Sequence, residues 1–393
     1  MSVRMRSTVC RPRRVLILLC TVLFFYGFYL GGVQLVIGEV SQSYDMNSTG
    51  MGGLVSAQHI AGIVLPVLMG AAADRIGKKT VLSLFAAVFA VGCAFAGFSG
   101  SLAVYLLGTV CIGAGYSVCE SVSSAVLSEL DETRGARYVN LSQAVLSLGA
   151  VISPLLVQGL RSRFSLSWRL PFLICAAAYT LLSLAILATV FPRRANVPKQ
   201  QAQRGGRFFS SGIFVLLFAA IILYVGLENG ISYFVETLFS RTLNAADLGA
   251  AALSAYWIGM TVSRLVFSAV PARPQWVVLG AFLCSAAALG GLALSASPYL
   301  SVGLCAAAGF AYGPIWSTLV YLATRQFPHA TAGAAGRMSA GCGLGGIFYP
   351  LLMGAVCDRF GIRASFCLLA LTAAAGALCS LLAGLRIKKS NAA

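Results

Sequence analysis

What this sequence has least of is charge. Only 10% of its 393 residues are Asp, Glu, Lys or Arg, and just eleven are acids, whereas soluble domains carry about 25% charged residues. It has two histidines, His59 and His329, neither with a ligand partner at helical spacing, and its twelve cysteines include no Cys-x-x-Cys pair. That argues against a disulfide framework and a metal site; the cysteines, nearly all inside apolar runs, read as small packing residues. There is no Gly-x-x-x-x-Gly-Lys-Ser/Thr loop, which argues against nucleotide-driven pumping, and no nucleophile–base arrangement that would mark an enzyme. No cofactor is implied.

In place of charge there is hydrophobicity: 59% of residues are apolar and the mean hydropathy is +0.86. A helix crossing the ~30 Å hydrocarbon layer needs ~20 apolar residues. Twelve runs qualify, at 15–40, 51–73, 79–98, 102–129, 138–160, 170–191, 211–239, 248–271, 276–296, 299–323, 335–357 and 364–385. The first follows a basic start, "MSVRMRSTVCRPRR". It is too long for a signal-peptide core of about 7–15 residues and lacks a small-residue cleavage site, so it reads as a retained membrane helix.

The net charge of +17 is a matter of placement rather than a nucleic-acid signature. With a cytoplasmic N-terminus, 22 of the 28 Lys and Arg fall on the cytoplasmic side, Arg264 among them at an inner helix end. Only Arg161, Arg163, Arg169, Arg241, Arg359 and Arg363 fall opposite. The positive-inside rule then places both termini in the cytoplasm of a multi-pass plasma (inner) membrane protein, with some attraction to anionic lipid and no nucleic-acid partner.

A polar, basic stretch, "PRRANVPKQQAQRGGR" at 192–207, follows the sixth run. It divides the chain into an N-terminal six-helix half (1–191), a cytoplasmic linker (192–210) and a C-terminal six-helix half (211–393). The halves repeat. "LGAVISPLLVQGLRSRF" at 148–164 aligns with "LGGIFYPLLMGAVCDRF" at 344–360, pairing the fifth span with the eleventh. A second echo pairs "GIVLPVLMGAAADRIG" at 62–77 with "GIFYPLLMGAVCDRFG" at 346–361, the second span with the eleventh. By count those two spans run in opposite directions, so this repeat is inverted. Parallel halves built of nested inverted triplets are the symmetry of major facilitator transporters. The predicted fold class is an all-α membrane protein of twelve transmembrane helices in two six-helix halves, each of two inverted three-helix repeats.

Ionisable groups inside membrane helices are costly and default to functional candidates. Two acids lie deep, Glu120 in the fourth span and Glu228 in the seventh. Burial favours the protonated form of a carboxyl, so both are candidates for loading and releasing a proton; the structural alternative is a hydrogen-bonded brace. Intramembrane amides that donate and accept are Gln34, Gln58, Asn140, Gln143 and Asn229; Asn140 and Gln143, three apart, share a helix face. Tyr256, Trp257, Tyr312 and Trp316 offer rings for stacking on a sugar, Tyr312 and Trp316, four apart, on one helix face, with packing roles equally open to each. His59 is a weaker proton candidate. The motif Gly70…Asp74-Arg75-Ile76-Gly77 and its outer echo Asp358-Arg359 are candidate gating elements, the outer pair weighed also as a helix-end structural device.

These residues carry a family resemblance. Gly70, Asp74, Arg75 and Gly77 resemble the loop signature of the major facilitator superfamily, which implies a charge lock between helix ends. "GAGYSVCESVSSAV…ARYVNLSQAVLSLGAVISPLL" resembles the fucose–galactose–glucose:proton symporters, whose pattern runs Gly-x-Gly…Glu, then Asn-x-x-Gln and Gly-x-x-x-x-Pro. It matches at Glu120, Asn140, Gln143, Gly149 and Pro154. "YVGLENGISYFVETLF…LSAYWIGMTVSR" and "FFYGFYLGGVQLV" also resemble that family. Two departures stand out: Ser124-Ala125 replaces an Asn-Pro, and Gln34 stands where fucose permeases have an Asp.

The resemblance implies a monomeric, proton-coupled importer of a sugar or similar small polar solute, with Glu120 as proton carrier and Glu228 a second coupling candidate. The ligand shell would be Gln34, Asn140, Gln143, Asn229, Tyr256, Trp257, Tyr312 and Trp316. The runner-up is a proton-antiport exporter of drugs, metabolites or amphipathic compounds; Ser153-Pro154-Leu155-Leu156-Val157-Gln158 in place of the antiporter Gly-Pro-x-x-Gly-Gly run counts against it.

Overall fold

A computed structural model describes residues 12–130, 135–191, 208–269, 273–327 and 331–390. Hydrocarbon offers the backbone no water to bond, so each apolar run closes its own hydrogen bonds as a helix. The first six are α1 (Pro12–Ser43), α2 (Ser48–Ile76), α3 (Lys78–Gly97), α4 (Leu102–Glu129), α5 (Gly135–Phe164) and α6 (Leu170–Ala188). Then come α7 (Gly212–Arg241), α8 (Gly249–Ala269), α9 (Pro274–Leu294), α10 (Pro298–Tyr312), α11 (Ile315–Arg325), α12 (Thr331–Phe360) and α13 (Ile362–Ser390). Among the described residues, 11 stretches are long and apolar enough to cross a membrane, with α10 and α11 counted together. The remaining long helix is α2, of 29 residues. The chain is therefore a multi-pass membrane protein.

Polar turns supply the helix starts. Asn47 accepts from the Gly50 amide, Ser101 from Val104, Ser211 from Phe214 and Ser297 from Leu300, each satisfying a donor that a helix start leaves unpaired.

The two halves pack by one scheme. In the first, α1 lies on α5, α2 on α4, and α3 on α4 and α6. In the second, α7 lies on α12, α8 on α10, and α9 on α10 and α13. Pro154 and Pro350 sit inside α5 and α12 at equivalent places. The inverted echo is equally plain. α2 and α12 stop at Gly77 (φ 99°) and Gly361 (φ 85°), a backbone shape that side chains disfavour, and α3 and α13 start at the next residue. Residues 192–207 of the expected linker lie outside the described residues. Phe208–Ser210 form a 3₁₀ turn, with Phe208 buried against Phe214 and Phe327.

One expectation fails here. The tenth span is two helices, because Pro314 lacks an N–H and cannot continue α10; it caps α11 instead. Tyr312 and Trp316 therefore do not share a face: Tyr312 is fully buried and Trp316 is 43% exposed.

The halves meet along α2–α12 and α5–α8. The side holding the start of α1 and the end of α13 is the terminal side; the opposite is the far side. The first seam is a ladder that begins at the far side. Asp358 accepts from the Ser48 and Thr49 amides, each at 2.8 Å, and from Thr49 Oγ1 at 2.6 Å. A Cβ added at Gly354 would stand 2.1 Å from the Ser48 carbonyl oxygen, and one at Gly52 2.0 Å from that of Pro350. Only glycine permits these approaches. Ser56 Oγ then donates to the Ile347 carbonyl at 2.6 Å, and Ile63 touches Gly343. On the second seam Gln158 donates to the Asp247 carbonyl at 3.2 Å and Ser254 to that of Val151 at 2.9 Å. Arg264 Nη1 adds a further rung to that seam, donating to Ser147 Oγ at 3.1 Å.

Candidate transport site

Six helices bring polar groups to the centre. On α4, Tyr116 and Glu120 are four residues apart and share a face. Gln143 on α5 donates Nε2 to Glu120 Oε1 at 3.4 Å. Tyr26 of α1 stacks on Tyr116, with centroids 4.5 Å apart and planes 11° from parallel. The same Tyr-x-x-x-Glu spacing recurs on α7, where the Tyr224 hydroxyl donates to the Glu228 carboxylate. Tyr312 of α10 packs edge-on to Tyr224 at 6.0 Å and to Tyr256 at 5.8 Å; Tyr256 meets Trp257 at 5.5 Å. Each half thus presents one half-buried carboxyl beside tyrosines.

Between them stands Arg264 of α8. Its Nη1 donates to Ser147 Oγ on α5 at 3.1 Å, and its charge reaches both Glu120 and Glu228. Sequence reasoning placed Arg264 at an inner helix end; it lies five residues inside α8 and faces the seam between halves. Its isolation in an apolar span was the available signal. Tyr116 and Tyr224 were also missed, although the repeated Tyr-x-x-x-Glu spacing was there to be read.

On the far side of the carboxyls, amides close the floor. Gln34, 3% exposed, accepts Trp257 Nε1–H at 3.0 Å. Gln58 accepts from Tyr29 Oη at 3.2 Å and donates to Tyr233 Oη at 2.6 Å. His59 sits 3.5 Å from both Tyr116 Oη and Asn229 Nδ2, its ring against Gly346. Trp316 lies against Cys342 of α12. The hydroxyls of Tyr256 and Tyr312 are buried without a hydrogen-bond partner, a state that costs about 1–3 kcal/mol per group.

Of the predicted residues, then, Glu120 and Gln143 are joined, as are Gln34 and Trp257; Glu228, Tyr256 and Tyr312 cluster; Asn229 meets His59. Asp358 lies far from this centre, in the far seam, and Arg359 is exposed beside it. Gly70, Asp74, Arg75 and Asn140 fall within helices, but their side chains lie outside the described ones; Gly77 ends α2. The eleven described cysteines are free. Among the described residues there is no cluster of metal-ligating side chains.

The sequence matches the Major Facilitator Superfamily over residues 17–335 and 217–392, and the chain belongs to that family of membrane transporters rather than to an enzyme family. It is 24% identical over 354 residues to the uncharacterized MFS-type transporter YfkL of Bacillus subtilis (strain 168), covering 86% of this chain and 89% of that one. It is 26% identical over 321 residues to a putative glucose/galactose transporter of Helicobacter pylori (strain J99 / ATCC 700824), covering 76% and 78%. It is 26% identical over 302 residues to the multidrug resistance protein MdtL of Escherichia coli O81 (strain ED1a), covering 72% and 75%. Among solved structures, a point mutant of the nucleoside transporter NupG superposes with TM-score 0.80 at 16% identity, covering 95% of this chain and 99% of that one. A point mutant of the E. coli fucose:proton symporter FucP superposes with TM-score 0.66 at 18% identity, covering 94% and 98%. These likenesses show the fold.

Proposed function

We propose that this chain takes up a sugar or similar small polar solute together with protons. The single observation that carries the reading is the centre itself: a half-buried carboxyl from each half, both within reach of Arg264 at the seam, stands among amides and tyrosines. Glu120 serves as the proton carrier and Glu228 as its partner across the seam. Gln34, Asn140, Gln143, Asn229, Tyr256, Trp257, Tyr312 and Trp316 form the ligand shell, and a bound hydroxyl would satisfy the two orphan tyrosine hydroxyls. Similarity to a putative glucose/galactose transporter supports a sugar-like solute.

The halves, 1–191 and 211–393, rock about this centre, with 192–210 as linker. The basic bias puts both termini in the cytoplasm and the chain, as a monomer, in the plasma (inner) membrane. The described state is then closed outward. Asp358 at the start of α2 is the outer lock, and Asp74-Arg75 after Gly70 is its counterpart for the state closed inward. The test is external pH in lightly buffered, de-energised cells expressing the chain, with neutral sugars, polyols and nucleosides added singly. Transient alkalinisation by one compound supports proton symport and names the solute; silence across the panel turns the assignment toward export. That second reading, proton-antiport export of an amphipathic compound, is favoured by the MdtL similarity.

A further inference from the structure

The proposed cycle needs a link between proton loading and the movement of the halves, and the amides and rings of the shell do not provide one. A guanidinium is charged at every physiological pH, and within a membrane span it needs polar partners. Arg264 finds its anchor across the seam, on Ser147 at 3.1 Å. Ser147 Oγ in turn donates to the Gln143 carbonyl at 3.1 Å, and the Gln143 side chain donates to Glu120. A polar chain therefore runs from α8 of the second half through α5 to α4 of the first. At its first end is a permanent cation; at its other end is an acid that carries charge only when unprotonated. Glu228, on Arg264's own half, is the second acid its charge reaches.

We infer that Arg264 is the positioning residue that couples proton loading to movement: a fixed cation on the second half whose pull on Glu120 of the first exists only while Glu120 is ionised. A proton on Glu120 cancels that pull, leaves Arg264 to Glu228 within its own half, and frees the two halves to move past one another. The other titratable groups facing this centre are Tyr26 from α1, Tyr116 from α4, Tyr179 from α6, Tyr224 and Tyr233 from α7, Tyr256 from α8, Tyr312 from α10 and Cys342 from α12, with His59 one layer away between Tyr116 and Asn229. Of these charges Arg264 alone is permanent. The inference rests on the proton-coupled reading of Glu120.

The test reads orientation without needing a known solute. Spin labels on non-canonical residues at Leu68 of α2 and Ser339 of α12, both on the terminal-side stretches of these helices, report their separation in nanodiscs on either side of neutrality, at about pH 5.5 and about pH 8.5. In the wild-type protein the ratio of the two distance populations changes at least about threefold with pH. Arg264→Gln gives one distribution at both pH values, Arg264→Lys keeps the change, and Glu120→Gln abolishes it. A wild-type response in Arg264→Gln, with Glu120→Gln flat, overturns the role of Arg264 and leaves the proton carrier standing. A wild-type protein indifferent to pH overturns proton coupling itself, and this inference with it. If Arg264→Gln does not fold, Ser147→Ala releases the guanidinium from its anchor while keeping every charge. The response then shrinks at least about threefold, and an undiminished response overturns the inference.

Discussion

The far seam and the centre treat polar atoms in opposite ways. At the seam a single carboxylate, Asp358, accepts three hydrogen bonds from the first residues of α2, and glycines let backbone meet backbone. At the centre two tyrosine hydroxyls are buried with no partner, and both acids are only half-buried. The seam contact is saturated, whereas the centre, the proposed binding site, leaves hydrogen-bonding capacity unused. Each of the two regions therefore fails in its own way when altered.

The largest effect is expected at the centre. Glu120→Gln should abolish gradient-driven accumulation in proteoliposomes, a loss of at least about 100-fold as for removal of a proton-transfer group, while solute exchange without a gradient continues. Breaking the seam should do the reverse. Gly354→Val sets a side chain where even a Cβ would stand 2.1 Å from a carbonyl oxygen, so the far side cannot close. Turnover and exchange should fall together by about tenfold or more, as for overpacking worth about 1–3 kcal/mol, and a thiol placed at Thr49 should label faster from outside. Asp358→Asn keeps the shape but loses the anion at a helix start, worth about 1 kcal/mol. The population open on the far side should rise about fivefold by the same distance measurement.

Tyr256→Phe sharpens the contrast. It removes a hydroxyl that has no partner in the empty protein, so thermal stability should hold or rise by up to about 1 kcal/mol. Solute affinity should nonetheless drop about threefold to tenfold, and unchanged affinity would remove Tyr256 from the ligand shell. Smallest of all is Arg359→Gln. That exposed neighbour of Asp358 should leave turnover within about twofold, as for other surface charges.

The fold was legible because a bilayer leaves the backbone few options: apolar runs became helices, and the two echoes of Gly-x-x-x-Asp-Arg-x-Gly already contained the inverted symmetry that Gly77 and Gly361 share in backbone shape. The carboxyls were legible for the same reason, since an acid in an apolar run has little structural excuse. What could not be read was partnership. Arg264 looked like a topological cation because its neighbours in sequence are apolar; its neighbours in space are Ser147 and two acids on three other helices. Tyr312 and Trp316 looked like one face because helical periodicity was carried through Pro314. Asp358 gave no sign of α2, which lies more than three hundred residues earlier in the chain.

In the proposed proton-coupled cycle, Arg264 between two acids would also set how the membrane's voltage enters. With Glu120 and Glu228 ionised, the centre holds one negative charge in excess; with one proton aboard it holds none. A neutral solute and its proton would then cross the field as an uncharged load, and the empty site would carry the charge back. A potential acts on such a charge with about 2.3 kcal/mol per 100 mV. An inside-negative membrane would thus drive the return stroke and leave the delivery stroke untouched.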